Sequence, residues 1–289
     1  MDQCVRKAYA KINLGLDVIG RLENGYHVVK MVMQTVGIYD VLTLKKIPSG
    51  IVVTTDNGEL PTDDNNLIYK AACLMREAYG ITEGVSIHLE KNIPIAAGMA
   101  GGSTDAAGTF LGMNQLFEIG ATIQELQELG VKGGADVPYC IMGGTALAEG
   151  IGEILSHLPA PPQCHLVVAK PDINVSTKYV YEHLDAEGVE THPDIDGMIE
   201  ALEEGDLQGI VSRLGNVLET VTVKKHTIIN TIKQCMMENG AWGSLMSGSG
   251  PTVFGIFTDE QKAQKAKDEI EKKQLAKQVF VTNFYNGSN

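Results

Sequence analysis

The sequence predicts an α+β protein, two-layered in each of two domains, and three observations carry that prediction. The chain opens in strand period, with Ile12, Leu14, Leu16 and Val18 alternating with Lys11, Asn13, Gly15 and Asp17. A strand, a loop of small residues and a helix follow across residues 85–117. From His165 onward, the middle helices set aside, the elements read β-α-β-β-α-β, a split unit of ferredoxin-like order. At 289 residues the chain can bury two cores. The proline-rich run Leu158-Pro159-Ala160-Pro161-Pro162 is the expected connection between residues 1–158 and 163–289.

In order, the first strand covers Ala8 to Val18, and Glu23-Asn24-Gly25 is a turn into Tyr26-His27. Strands follow at Val28–Val36 and Val41–Leu44. Asp63-Asp64-Asn65-Asn66 offers N-caps for a helix over Leu67–Tyr79, which Gly80 stops. Val85–Leu89 is a half-buried strand, and a helix begins near Ser103 or Thr104. Thr122-Ile123-Gln124-Glu125 is a capping box for a short helix to Leu129. A strand at Thr145–Ala148 ends the first half. The second half holds strands at 165–169, 243–246, 253–257 and 278–282, with helices at 177–184, 195–204, 207–214, 224–238 and 260–273.

The loop before the central helix reads Pro94-Ile95-Ala96-Ala97-Gly98-Met99-Ala100-Gly101-Gly102-Ser103-Thr104-Asp105-Ala106-Ala107. Small residues leave backbone N–H groups uncovered at a helix start, where the dipole adds positive charge, and that suits a phosphate. The plainer reading is a turn that lets a helix pack closely, yet three glycines followed by two hydroxyls exceed that need. Neither the Gly-x-x-x-x-Gly-Lys-Ser/Thr loop nor the Gly-x-Gly-x-x-Gly fingerprint occurs there.

A net charge of −13 argues against a nucleic-acid surface. Five dispersed cysteines fit reduced thiols in the cytoplasm better than disulfides or zinc, and the histidines lack metal-ligand spacing. The opening Met1-Asp2-Gln3-Cys4 has no apolar core, so no secretion signal is expected. Residues 239–258 are uncharged but too rich in Gly, Ser and Thr to span a membrane. No Gly-x-Ser-x-Gly elbow is present.

Four further stretches are candidates for chemistry. Lys11 and Asn13 project from one strand face, as residues that carry chemistry or as a solvated edge. Asp136, within Gly134-Ala135-Asp136-Val137-Pro138, is a helix N-cap or a general base. If it meets Lys11, the ammonium keeps the carboxylate ionised and the carboxylate accepts a substrate proton. Gly248-Ser249-Gly250-Pro251 is a hairpin turn or a second glycine loop, and Tyr26-His27 packs or stacks on a planar ring.

Together these stretches resemble the GHMP kinases. Ala10-Lys11-Ile12-Asn13-Leu14, residues 94–107 and Ser247-Gly248-Ser249-Gly250 match the three motifs of that family in order and spacing. Asn24-Gly25-Tyr26-His27, Asp64-Asn65-Asn66-Leu67 and Gly143-Gly144-Thr145-Ala146 are most similar to its non-mevalonate isoprenoid branch. The resemblance implies a GHMP-kinase fold, with a ribosomal-protein-S5-like ATP-binding domain and a ferredoxin-like domain. It implies a cytoplasmic enzyme using ATP and Mg²⁺ to phosphorylate the 2-hydroxyl of CDP-methylerythritol, as monomer or homodimer, with no nucleic-acid or membrane partner. Lys11 and Asp136 take the catalytic positions. Residues Pro94 and Ala96 to Thr104 cradle the phosphates, Ser103 and Thr104 offer hydroxyls, and Asn66 and Asp105 match positions near the nucleoside. Asn13 matches a polyol contact, Tyr26, His27 and Tyr181 a cytosine clamp, and Gly248 with Ser249 a diphosphate contact. Tyr181 stands where phenylalanine is common. A GHMP kinase of another small alcohol, of homoserine or mevalonate type, and a non-catalytic nucleotide-binding relative are the alternatives.

Overall fold

The computed structural model describes residues 1–22, 25–186 and 188–287, so Glu23 and Asn24 of the expected first turn lie outside the described residues. β1 (Gln3–Arg21) and β2 (His27–Ile47) make a long antiparallel pair. The two strands expected over 28–44 are therefore one. Gly37, which resembles a break, instead admits another strand: a Cβ there would stand 2.7 Å from Thr282 Oγ1. Next come β3 (Ile51–Thr55), α1 (Leu67–Tyr79), β4 (Gly84–Glu90), α2 (Gly101–Leu116), α3 (Ile123–Gly130), α4 (Val137–Met142), β5 (Thr145–Glu149) and β6 (Ile154–His157). The first sheet runs β3-β4-β2-β1, with β5 on β2 and β6 on β5.

The second half contains β7 (His165–Lys170), α5 (Thr177–Glu182), α6 (Ile195–Glu204), α7 (Leu207–Ser212), β8 (Gly215–Asn216), α8 (Glu219–Lys225), α9 (Ile228–Glu238), β9 (Gly243–Met246), β10 (Val253–Phe257), α10 (Glu260–Lys272) and β11 (Gln278–Asn283). Its sheet order is β11-β7-β10-β9, antiparallel throughout, which puts the first and third strands of the split unit at the centre. The helix expected over 224–238 is α8 and α9, separated at His226-Thr227. Of the second half, β8 returns to the first sheet and lies parallel to β1 at Gly15 and Leu16.

β1 departs from simple alternation. Ala8 packs in the core beneath α2, Ala10, Ile12 and Leu14 pack toward the second sheet, and Leu16 and Val18 return to the first core. Register shifts between Tyr9 and Lys11 and between Asn13 and Gly15 account for both reversals, since each extra residue inverts a period-two pattern. The short window between the bulges holds Lys11 and Asn13, and turns them to the α2 side.

α2 lies under this window and is buried along most of its length. It begins at Gly101, two residues before the predicted start. Glycines bring it close to the sheet: a Cβ on Gly108 would stand 3.0 Å from Leu42 Cδ1, and one on Gly112 2.7 Å from Leu44 Cδ1. α1 is bounded as predicted, by the Asn66 cap and by left-handed Gly80. Gly112→Val is expected to lower unfolding free energy by about 1–3 kcal/mol through overpacking. Urea denaturation checks this, and an unchanged midpoint would refute the close fit.

Candidate active site

Each expected motif reaches one cleft of ≈ 1030 Å³ lined from both halves of the chain. Its floor is the loop into α2. Gly98 has φ +72°, and Ala96 and Ala100 hold φ of +50° and +56°, a left-handed strain that alanine tolerates only where surroundings impose it. Ala100 is the N-cap of α2 and supplies no side-chain cap, so the first helical amides lie beside the cleft without a capping oxygen. The Lys11 amide donates to the Met99 carbonyl at 3.2 Å, which fastens β1 to this loop.

The second glycine loop closes against the first. Ser247 Oγ donates to the Gly98 carbonyl at 2.9 Å, and a Cβ on Gly98 would fall 2.3 Å from the Ser247 carbonyl oxygen. Asn216 of β8 donates to the carbonyls of Met246 and Gly248, both at 2.8 Å. The short return of β8 to the first sheet thus holds the loop that faces the cleft. Gly248 and Ser249 line it.

Lys11 and Asp136 meet in the same space. Lys11 Nζ donates to Asn13 Oδ1 at 2.8 Å and lies 4.0 Å from Asp136 Oδ2. Asp136 occupies the N-cap position of α4, yet its side chain accepts no capping hydrogen bond. It is partly exposed while Lys11 is buried. Of the two readings of this aspartate, capping is the one the geometry rejects. Asn13 is fully buried behind Lys11, with Nδ2 toward Met31 Sδ at 3.4 Å, and is absent from the cleft lining. It orients the lysine.

Ser103 lines the cleft, but Thr104 does not: its Oγ1 donates to the Tyr9 carbonyl at 2.6 Å. The hydroxyl expected for phosphate is thereby turned into the protein. Asn66 lines the cleft with its amide engaged at both ends, accepting from Ile68 N at 2.8 Å and donating to the Pro61 carbonyl at 2.7 Å. Asp105 lines the cleft edge in an ion pair with Lys91 at 3.0 Å, and burial raises its carboxyl well above the usual range against that pairing. Met99 is buried beneath the loop. Cys140 is buried, which pushes its thiol far from thiolate formation and removes it as a nucleophile. Among the described residues no group of three or more His, Cys, Asp or Glu is placed to hold a metal ion.

Tyr26, His27 and Tyr181 line the same cleft. The His27 and Tyr181 rings are in direct contact, with centroids 5.3 Å apart and planes tilted by 37°. Sequence reasoning passed over Arg21, which sits opposite His27 in the β1–β2 register and also lines the cleft. A basic residue just before a turn carries no distinguishing spacing, so only the hairpin register reveals it.

The description "GHMP kinases N terminal domain" matches residues 66–144, and "GHMP kinases C terminal" matches residues 198–277. The chain is 55% identical to 4-diphosphocytidyl-2-C-methyl-D-erythritol kinase of Lachnospira eligens over 286 residues, covering 99% of both chains. It is 49% identical to the Lachnoclostridium phytofermentans enzyme of the same name, covering 100% of each. A solved structure of 4-(cytidine 5'-diphospho)-2C-methyl-D-erythritol kinase is similar at TM-score 0.84 and 32% identity, over 98% of this chain and 100% of that one. Homoserine kinase of Cytophaga hutchinsonii shares the fold at TM-score 0.79 and 21% identity, over 100% and 96%. The chain belongs to the GHMP kinase family.

Burial, with the Arg21 charge second, lowers the His27 imidazole below its ordinary value. Stability linked to this group is therefore full above about pH 6.5 and declines as pH falls through the lowered folded value. NMR titration is expected to place His27 below about 6.5 and to move it partway back in Arg21→Gln. A midpoint at or above the ordinary value would contradict this.

Proposed function

We propose that this protein is an ATP-dependent kinase of the 2-hydroxyl of 4-diphosphocytidyl-2-C-methyl-D-erythritol, acting in cytoplasmic non-mevalonate isoprenoid synthesis. The observation that carries the reading is that one cleft is lined by the amide-rich loop, by the Lys11–Asp136 pair and by the Tyr26, His27 and Tyr181 rings. Relatives 49–55% identical over nearly their whole length carry that enzyme's name, which supports the same substrate here. Mevalonate and homoserine have no planar base to occupy the aromatic end.

Phosphoryl transfer asks for positioning and charge stabilisation rather than covalent catalysis. The amides from Gly98 to Ser103, with the α2 dipole behind them, hold the nucleotide phosphates. Asp136 accepts the proton of the attacking hydroxyl, and the Lys11 ammonium keeps that carboxylate ionised while attracting the phosphoryl oxygens. Asn13 holds Lys11 in register. Mg²⁺ commonly takes few protein ligands beside phosphates and water, so Ser103 in the lining fits it, and when bound it neutralises phosphate charge. Gly248 and Ser249 approach the substrate diphosphate, and the cytosine lies against His27 and Tyr181 with Tyr26 beside it.

In a coupled ADP-release assay, turnover is expected with the cytidine-diphosphate substrate and not with mevalonate or homoserine; the reverse preference would overturn the assignment. Asp136→Asn is expected to lower kcat by roughly 10²-fold or more with ATP affinity nearly unchanged. Wild-type turnover in that variant would remove Asp136 from the mechanism.

A further inference from the structure

Beneath the amide-lined loop lies a buried ion cluster that the catalytic reading does not use. Lys91 Nζ bonds Asp40 Oδ2 and also lies 3.0 Å from Asp105 Oδ2. All three side chains are at most 5% exposed. The other Asp40 oxygen, Oδ1, accepts the backbone amides of Asn92 and Ile93. These two residues immediately precede Pro94, where the loop begins, while Asp105 lies in the opening turns of α2, just beyond the loop's last residue, Ala100. One ammonium therefore fastens both ends of the loop. The fit is tight, because a Cβ on Gly101 would stand 3.0 Å from Lys91 Nζ.

The loop itself has few anchors. Its alanines and glycines offer no side-chain hydrogen bonds, and ordering such a segment costs backbone entropy. Its Met99 and Gly98 carbonyls are taken by the Lys11 amide and by Ser247, and Thr104 just beyond it is tied to the Tyr9 carbonyl. None of these contacts joins the Pro94 end of the loop to α2. The cluster supplies that constraint. Breaking a buried pair by removing one partner strands an uncompensated charge, so the constraint is steep rather than graded.

We propose that Lys91, held by Asp40, is the positioning residue for nucleotide binding: it acts through Asp105 and the Asn92 and Ile93 amides to set the spacing of the phosphate-binding loop. This rests on the kinase reading of that loop. Asp105 Oδ1 is buried and has no hydrogen-bond partner among the described residues, and Asp105 lines the cleft. The cluster thus leaves one buried Asp105 oxygen unpaired beside the cleft.

Calorimetric titration of ATP, and separately of the cytidine-diphosphate substrate, into wild type, Lys91→Met and Asp105→Asn tests the proposal. Lys91→Met is expected to weaken ATP binding about tenfold or more while substrate affinity stays near wild type. Asp105→Asn, which keeps the Lys91–Asp40 pair, shows the same one-sided loss to a smaller degree. A purely structural role lowers the melting temperature and leaves the ATP affinity of folded protein intact; that result overturns the proposal. If Lys91→Met does not accumulate folded, wild-type ATP affinity in Asp105→Asn overturns it equally. Wild-type protein that binds neither ligand brings down the kinase reading instead, and this proposal with it.

Discussion

Gly98 and the Ser247–Gly250 turn approach so closely that no side chain fits between them. A Cβ on Gly98 would overlap the Ser247 carbonyl, and one on Gly248 would stand 3.1 Å from the Gly98 carbonyl. At this contact the first half of the chain meets the second. Ser247 closes it with a hydrogen bond, Asn216 holds the turn from behind, and Lys11 ties β1 to the next residue of the loop. Three segments distant in sequence are joined here, each through a backbone carbonyl as acceptor. With no room for a side chain between the two loops, this close backbone approach holds loop, lysine and turn in register.

The electrostatics follow from that frame. The chain carries a net charge of −13, which would repel a triphosphate were its charge spread evenly. Uncovered amides, the α2 dipole and a buried lysine supply positive potential beside the loop, and low-dielectric surroundings strengthen it. Asn13 keeps Lys11 aimed at the cleft, and Asp136 receives it there without capping its own helix. The aromatic end has a different chemistry, with rings and an uncharged imidazole favoured by burial.

Much of this was legible in the sequence, for reasons that differ by element. α1 is framed by Asn66 and Gly80, whose cap preferences are local, and its limits were read correctly. The strand, small-residue loop and helix were legible because periodicity changes abruptly there. The β1 bulges were not, since one extra residue leaves no mark in composition. α4 escaped because six residues are too few to display a period. Thr104 and Asn66 illustrate a different limit: residue type announces a donor, but the local backbone decides where it points. The Lys91 cluster joins positions 14 and 51 apart in sequence, a pairing that only the fold creates.

The central claim is that the bare contact between the two glycine loops sets up phosphate transfer. Steady-state kinetics of Gly98→Ala test it directly, because the added methyl is strained at φ +72° and strikes the Ser247 carbonyl. The account expects kcat/KM for ATP to fall about 10²-fold in protein that remains folded by circular dichroism. A Gly98→Ala enzyme with wild-type kcat/KM would contradict it.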